Sequence, residues 1–382
     1  MRLRPSAIRD TFAVGRGLLV LAVVGLAAVS IARAAGGPVQ LPRGLPADLW
    51  EILIPPDNPV TPEKVELGRR LYFDKRLSAD GTVSCATCHD PEKGFADGKK
   101  VGEGIGGKKG ARNSPTVLNS MFNEFQFWDG RATTLEEQAK GPMINPVEMG
   151  MSDHTMVVAA VAKDPAYVAD FQKIFGRAAT IDDIAAAIAT FERTVVSGDS
   201  AFDRFQAGDK LAMSESAQRG WALWNGKARC NTCHPFAANT PNFSDNKFHN
   251  IGVAARGRDF GALVRKATQA ASVEELALDP NYPELGRFVV TKQPKDIGAF
   301  KTSGLRDIAL SAPYMHDGSE PTLLSVVEFY NKGGEPNPFL DGGITPLKLT
   351  DGEIHDLVAF MESLTGQGAG APNREALRDP KK

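Results

Sequence analysis

Apolar residues recur at helical spacing in paired segments along this chain. The first begins at "TPEKVELGRRLYFD", where Thr61 can cap a helix, Pro62 suits its first position, and Val65, Gly68, Leu71 and Tyr72 share one side. A helix-like stretch of the same kind, "SESAQRGWALWNGKARC", comes about 150 residues later. Two further helices open on capping boxes, Thr180-x-x-Asp183 before "IAAAIATFERTVV" and Thr350-x-x-Glu353 before "IHDLVAFMESLTG". The stripes Ile184, Ile188, Phe191, Val195 and Ile354, Leu357, Val358, Met361 give each of these a face to bury. A shorter helix is expected after Thr322, with Leu323, Val326, Val327 and Tyr330 on one face and Gly333 at its end. The pattern predicts an all-α protein of two similar halves, residues 35–204 and 205–365, followed by a mobile polar tail over 366–382.

Composition changes this picture little. The 382 residues are 42% apolar and 24% charged, ordinary for a globular chain long enough for two domains. A formal charge of -2, with no long basic run, argues against nucleic acid as a partner. The N-terminus adds a compartment. Arg2, Arg4, Arg9 and Arg16 precede the apolar run "LLVLAVVGLAAVSIA", and Ala32-Arg33-Ala34 then offers a small-x-small cleavage site. Residues 1–34 read as a signal peptide, and the run is short for a membrane span. The mature chain is expected in the periplasm, without stable membrane insertion.

In an oxidising compartment four cysteines would ordinarily form two disulfides. Here they fall as Cys85-Ala-Thr-Cys88 and Cys230-Asn-Thr-Cys233, each followed at once by a histidine, His89 and His234. A zinc site built from both pairs would leave those histidines without a purpose. CxxCH has its own logic: two thiols add to the vinyl groups of a haem, and the adjacent imidazole comes to lie under the iron. Two such motifs, using every cysteine, predict two covalently bound c-type haems, one in each cytochrome c-like half. "GEGIGG", Gly102 to Gly107, matches the dinucleotide fingerprint GxGxxG. It follows no expected strand and opens no helix, so a glycine-rich loop beside a haem is the better account.

With "RNSPTVLN", "FWDGRA", "PVEMG" and "APYMHDGS" in this order beside the two haem motifs, the sequence resembles the bacterial dihaem cytochrome c peroxidase family, whose superfamily includes MauG. The resemblance covers roughly Leu67 to Leu364. It implies that the first haem, on His89, reacts with hydrogen peroxide. Family members that need reductive activation block this haem with a loop histidine, and the matching position here is Ile105. No histidine lies between His89 and His154, so the first haem should be open without prior reduction. The resemblance assigns acid/base work to Glu148 and a distal role to Gln138, and places Trp128 between the two haems. It also implies a calcium ion held by the Asn113 side chain and the backbone carbonyls of Ser311 and Pro313, hard oxygen donors.

The second haem has His234 on one side. Standard family members supply a methionine fourteen residues beyond the histidine of "PYxHxG", which is His316 here. That position holds Tyr330, as it does in MauG, and Met315 is the competing ligand. A phenolate favours higher iron oxidation states, whereas methionine raises a haem potential. Two readings follow from the resemblance. One is a peroxidase fed by a small c-type cytochrome or copper protein. The other is a MauG-like enzyme that oxidises a residue of a protein substrate through a two-iron ferryl state. MauG uses a tryptophan two residues before its second haem motif, where this chain has Ala228, with Trp221 and Trp224 nearby. A bare electron carrier is disfavoured, because Glu148 and the missing loop histidine make sense only at an open iron. The stretch 258–284 takes no role from sequence.

Overall fold

The computed structural model describes residues 39–270 and 281–367. The signal peptide expected at 1–34 and all but the start of the expected tail lie outside these residues. No described helix is long and apolar enough to cross a membrane.

The fold is largely helical, as the periodicity predicts. Helix α1 spans Ala47–Ile52, α2 Pro62–Phe73, α3 Cys85–Cys88, α4 Leu135–Ile144, α5 His154–Ala162, α6 Pro165–Phe175 and α7 Ile181–Glu192. The second series comprises α8 Ala201–Gln206, α9 Glu215–Asn225, α10 Phe260–Gln269, α11 Phe288–Thr291, α12 Leu323–Lys332 and α13 Asp351–Glu362. Thr61, Thr180, Thr322 and Thr350 each accept a backbone N–H at the start of their helix, as expected. The periodicity did not anticipate the two-residue strands β1 (Phe248–His249) and β2 (Phe300–Lys301), which pair antiparallel. Two residues are too few to show alternation.

Apolar side chains gather into two main cores. One draws on Leu67 through Val195, including the stripe Ile184, Ile188, Phe191 and Val195; the other draws on Phe202 through Leu364. The halves repeat one construction in detail. In α2, Gly68 lies so close to α7 that a Cβ there would sit 1.9 Å from the Ala187 carbonyl oxygen. In α9, a Cβ on Gly220 would sit 2.0 Å from the Asp356 carbonyl oxygen of α13. Both crossings bring backbones into contact where only glycine fits. One turn beyond each glycine stands an aromatic donor, Tyr72 or Trp224, and each donates to the carbonyl of a CxxCH histidine.

The stretch without a sequence role, 258–284, has structure on both sides of residues 271–280. Phe260, Leu263, Val264 and Ala267 of α10 join Leu285, Phe288, Ile297 and Phe300 in a third small core, against which Trp128 packs. Ser311, Pro313 and Met315 fall in the connection between β2 and α12.

Candidate haem sites

Each CxxCH motif opens onto a cavity. The first cavity, of 720 Å³, is lined by Cys85, Cys88 and His89 together with Gln138, Glu148, Asn113 and Trp128. The second, of 330 Å³, is lined by Cys230, Cys233 and His234 together with Met315, His316, Tyr330 and again Trp128. Both volumes lie in the range of small-molecule and cofactor sites. All four cysteines are free thiols and none pairs in a disulfide.

The histidines are prepared as metal ligands. His89 Nδ1 lies 3.3 Å from the Phe95 carbonyl oxygen, and His234 Nδ1 lies 2.8 Å from that of Phe243. A carbonyl can only accept, so Nδ1 carries the proton and Nε2 keeps its lone pair for a metal. Burial lowers both imidazole pKa values and keeps the rings neutral. Burial likewise pushes the Cys88 thiol up to about 11 and Cys230 up to about 12, so these are neutral thiols rather than a preformed thiolate cluster. Cys233, Asp245 and His249 also converge. His249 is already held between Asp245 (3.0 Å) and Asp341 (2.6 Å), and Cys233 is part of the second CxxCH motif.

Trp128 stands in the wall common to the two cavities, with Lys301 and Ser303. Its Nε1–H donates to the Asn113 carbonyl (2.9 Å), and its own carbonyl accepts from Lys301 N–H (2.9 Å). Its ring meets the His316 ring edge-on at 6.4 Å, and His316 stacks on Phe300 at 3.6 Å. Behind these rings, Glu284 takes a 3.0 Å contact from His316 Nε2 and a 2.6 Å ion pair from Arg112. Burial alone would raise the Glu284 carboxyl, but the hydrogen bond from His316 and the charges of Arg112 and Arg258 outweigh it and hold the group near 2. A buried acid from the stretch without a sequence role therefore braces the histidine beside Trp128. Nothing in its local sequence gave this away, since its partners are 32 and 172 residues distant.

Around the first cavity, Glu148 is fixed by a 2.9 Å hydrogen bond from Asn145 Nδ2, and burial raises its pKa. Its backbone carbonyl accepts from the Ile105 N–H at 2.9 Å, which ties the glycine-rich loop to it. The Ile105 side chain packs onto the first core and is absent from the cavity lining. Thr134 caps α4 by accepting the Glu137 N–H, while the Glu137 carboxylate accepts the Thr133 N–H. Lys301, which burial pushes down to about 8, is a cavity residue that sequence reasoning missed. Glu192 is another; its signal was a carboxylate one turn after Ile188 on an apolar helix face.

In the second cavity Tyr330 shares the lining with Cys230 and Cys233, and burial pushes its phenol up. Among the described residues its hydroxyl takes no hydrogen bond. Met315, at a left-handed backbone position (φ 71°), lines the same cavity. The structure thus brings both candidate ligands to the second site. At the calcium candidates, Asn113 N–H donates to the His316 carbonyl (2.9 Å) and Asn113 Nδ2 to Lys99 O (3.0 Å). Among the described residues nothing donates to Asn113 Oδ1 or to the carbonyls of Ser311 and Pro313.

The free thiols, oriented imidazoles and cavity sizes fit a c-type haem at each motif, and an all-α chain with two such sites is a dihaem cytochrome. The comparisons with known proteins agree. Residues 62–211 match the family model described as di-haem cytochrome c peroxidase. The chain is 40% identical to cytochrome-c peroxidase IdrP1 of Denitromonas iodatirespirans, over 90% of this chain and 92% of that one. It is 41% identical to methylamine utilization protein MauG of Methylorubrum extorquens, over 82% of each. A crystal structure of a MauG-like protein associated with microbial copper homeostasis superposes with a TM-score of 0.73, at 33% identity over 92% of this chain and 99% of that one. The chain belongs to the dihaem cytochrome c peroxidase and MauG family, and is a dihaem enzyme of the peroxidase type with two c-type haems.

Proposed function

We propose that this enzyme reduces hydrogen peroxide at the first haem site with electrons that reach it through the second, in the periplasm. The observation that carries this reading is Ile105. At the loop position from which a ligand could block the first site, the partly buried side chain packs against the first core instead, and Glu148 lines the cavity. The haem, when bound, supplies the iron that binds peroxide and passes electrons.

The chain supplies the proton chemistry and the positioning. Glu148 takes a proton from the near peroxide oxygen and returns it to the far one as the O–O bond breaks. Its raised pKa brings a carboxyl closer to the working pH for both steps. Asn145 holds the carboxyl in place, and the Gln138 amide is a second polar group on the same cavity wall. Trp128 spans the wall between the sites and is the path for electrons or holes. The donor is a small c-type cytochrome or a copper protein. A calcium ion at Asn113, Ser311 and Pro313 would steady the wall, since the Trp128 indole is anchored on Asn113. Chain halves at 35–204 and 205–365 each hold one haem, and residues 1–34 direct export.

Tyr330 favours a second reading. Tyr330, whose hydroxyl takes no hydrogen bond among the described residues, would hold the second haem as a hard anionic ligand, which would make that haem a poor electron acceptor and a better place to store an oxidising equivalent. The enzyme would then oxidise a residue of a protein substrate, as a MauG-like protein. Rapid mixing of the fully oxidised protein with hydrogen peroxide tests the open site common to both readings. The spectrum of a high-spin first haem should change as isolated. A protein that is inert until half-reduced would overturn the proposal.

A further inference from the structure

Glu192, the last residue of α7, lines the first haem cavity and is 6% exposed. Among the described residues no group donates to its carboxyl, and Oε2 is fully enclosed without a hydrogen-bond partner. Ser120 lines the same cavity, is also 6% exposed, and its Oγ is likewise enclosed and unpartnered. The two segments run together, with Asn119 N–H donating to Val195 O at 2.9 Å and Ser197 N–H to Asn119 Oδ1 at 2.9 Å. Each is an enclosed polar group in the wall of one cavity, and each asks for a partner.

A bare carboxylate in such a place is costly, and a carboxyl that keeps its proton is much less so. Burial pushes Glu192 up to about 8; Arg193 opposes this and Glu136 adds to it. The other titratable groups near it are Tyr72 and Cys85, both of which feel its charge. Arg193 itself is committed to Glu136 through a 2.7 Å ion pair, so it does not neutralise Glu192 directly.

We propose that Glu192 is a second proton-carrying carboxyl of the first haem cavity, sharing one buried water with Ser120. This rests on the peroxide-reducing reading above. Reduction of one peroxide to two waters consumes two electrons and two protons. The electrons come from the protein donor. Glu148 moves a proton from one peroxide oxygen to the other and supplies none in sum. Glu192 releases one of the two protons consumed and solvent supplies the other; the buried water relays the Glu192 proton, and the carboxylate left beside Arg193 takes a proton back from solvent between turnovers.

Infrared spectroscopy of the resting haem-loaded protein, without peroxide, tests the assignment apart from the activity. At neutral pH the parent should show a protonated carboxyl stretch that Glu192→Gln abolishes and Glu148→Gln leaves in place. Ser120→Ala should shift that stretch without removing it, because a hydrogen bond through the water is lost and the proton is not. The band should disappear on raising the pH through about 8. In turnover, Glu192→Gln should lower kcat at least tenfold with KM for peroxide unchanged. A parent without peroxidase activity would remove the function and leave the infrared assignment standing. A carboxyl stretch unaltered in Glu192→Gln would show Glu192 to be ionised and overturn the proposal.

Discussion

Replacing Tyr330 by phenylalanine separates a packed tyrosine from a ligand. As a packing residue, Tyr330 would lose at most one hydrogen bond, about 1 kcal/mol, and the described residues give its hydroxyl none, so the expected cost is smaller still. As a ligand it loses far more. Burial holds its phenol above the ordinary value of 10.0, so a phenolate at pH 7 stands at least ~3 units uphill, or about 4 kcal/mol. The iron–oxygen bond must be worth more than that to form. Tyr330→Phe should therefore turn the second haem from six-coordinate to five-coordinate or water-bound and raise its potential, while the first haem stays as it was. Electron paramagnetic resonance and a spectroelectrochemical titration of the haem-loaded protein read both changes. Met315→Leu, from the same cavity, is the control. A second-haem spectrum unaltered in Tyr330→Phe and altered in Met315→Leu would assign the ligand to Met315 instead.

Other outcomes are equally specific. Glu148→Gln should slow peroxide cleavage by roughly 10² to 10⁴. In the parent the same step should weaken as pH falls through the raised Glu148 pKa, because the carboxylate is the form that accepts a proton, and stopped-flow mixing over a pH series measures this. Gly68→Ala and Gly220→Ala, each forcing a methyl onto a facing carbonyl, should destabilise by about 1–3 kcal/mol apiece. Chemical unfolding measures both, and equal losses are expected from the repeated construction.

The helices were legible because each combines a cap with a stripe: Thr180 with Ile184, Ile188 and Phe191, and Thr350 with Ile354, Leu357 and Met361. The haem motifs were legible because their chemistry is local, five residues each. Tyr330, Trp128 and Glu148 were named through resemblance, and the structure brings them to cavity walls. What escaped were pairings set by the fold. Glu284 meets His316 across 32 residues and Arg112 across 172, and the third core around Phe260 and Phe300 closes only when distant segments meet. Gly68 was legible as part of a helix face, but that it and Gly220 are points of backbone contact emerges only where α7 and α13 lie against them. Lys301 sits on a two-residue strand that no periodicity could reveal.

The proposed function stands on an open first site fed through the second. Its most direct test is steady-state oxidation of a reduced small c-type cytochrome by hydrogen peroxide, started with enzyme that has never been reduced. Turnover should begin from the first moment, with two donor molecules oxidised for each peroxide consumed, and should be lost in Glu148→Gln. An enzyme that stays silent without pre-reduction, or that consumes peroxide with the cytochrome untouched, would contradict it.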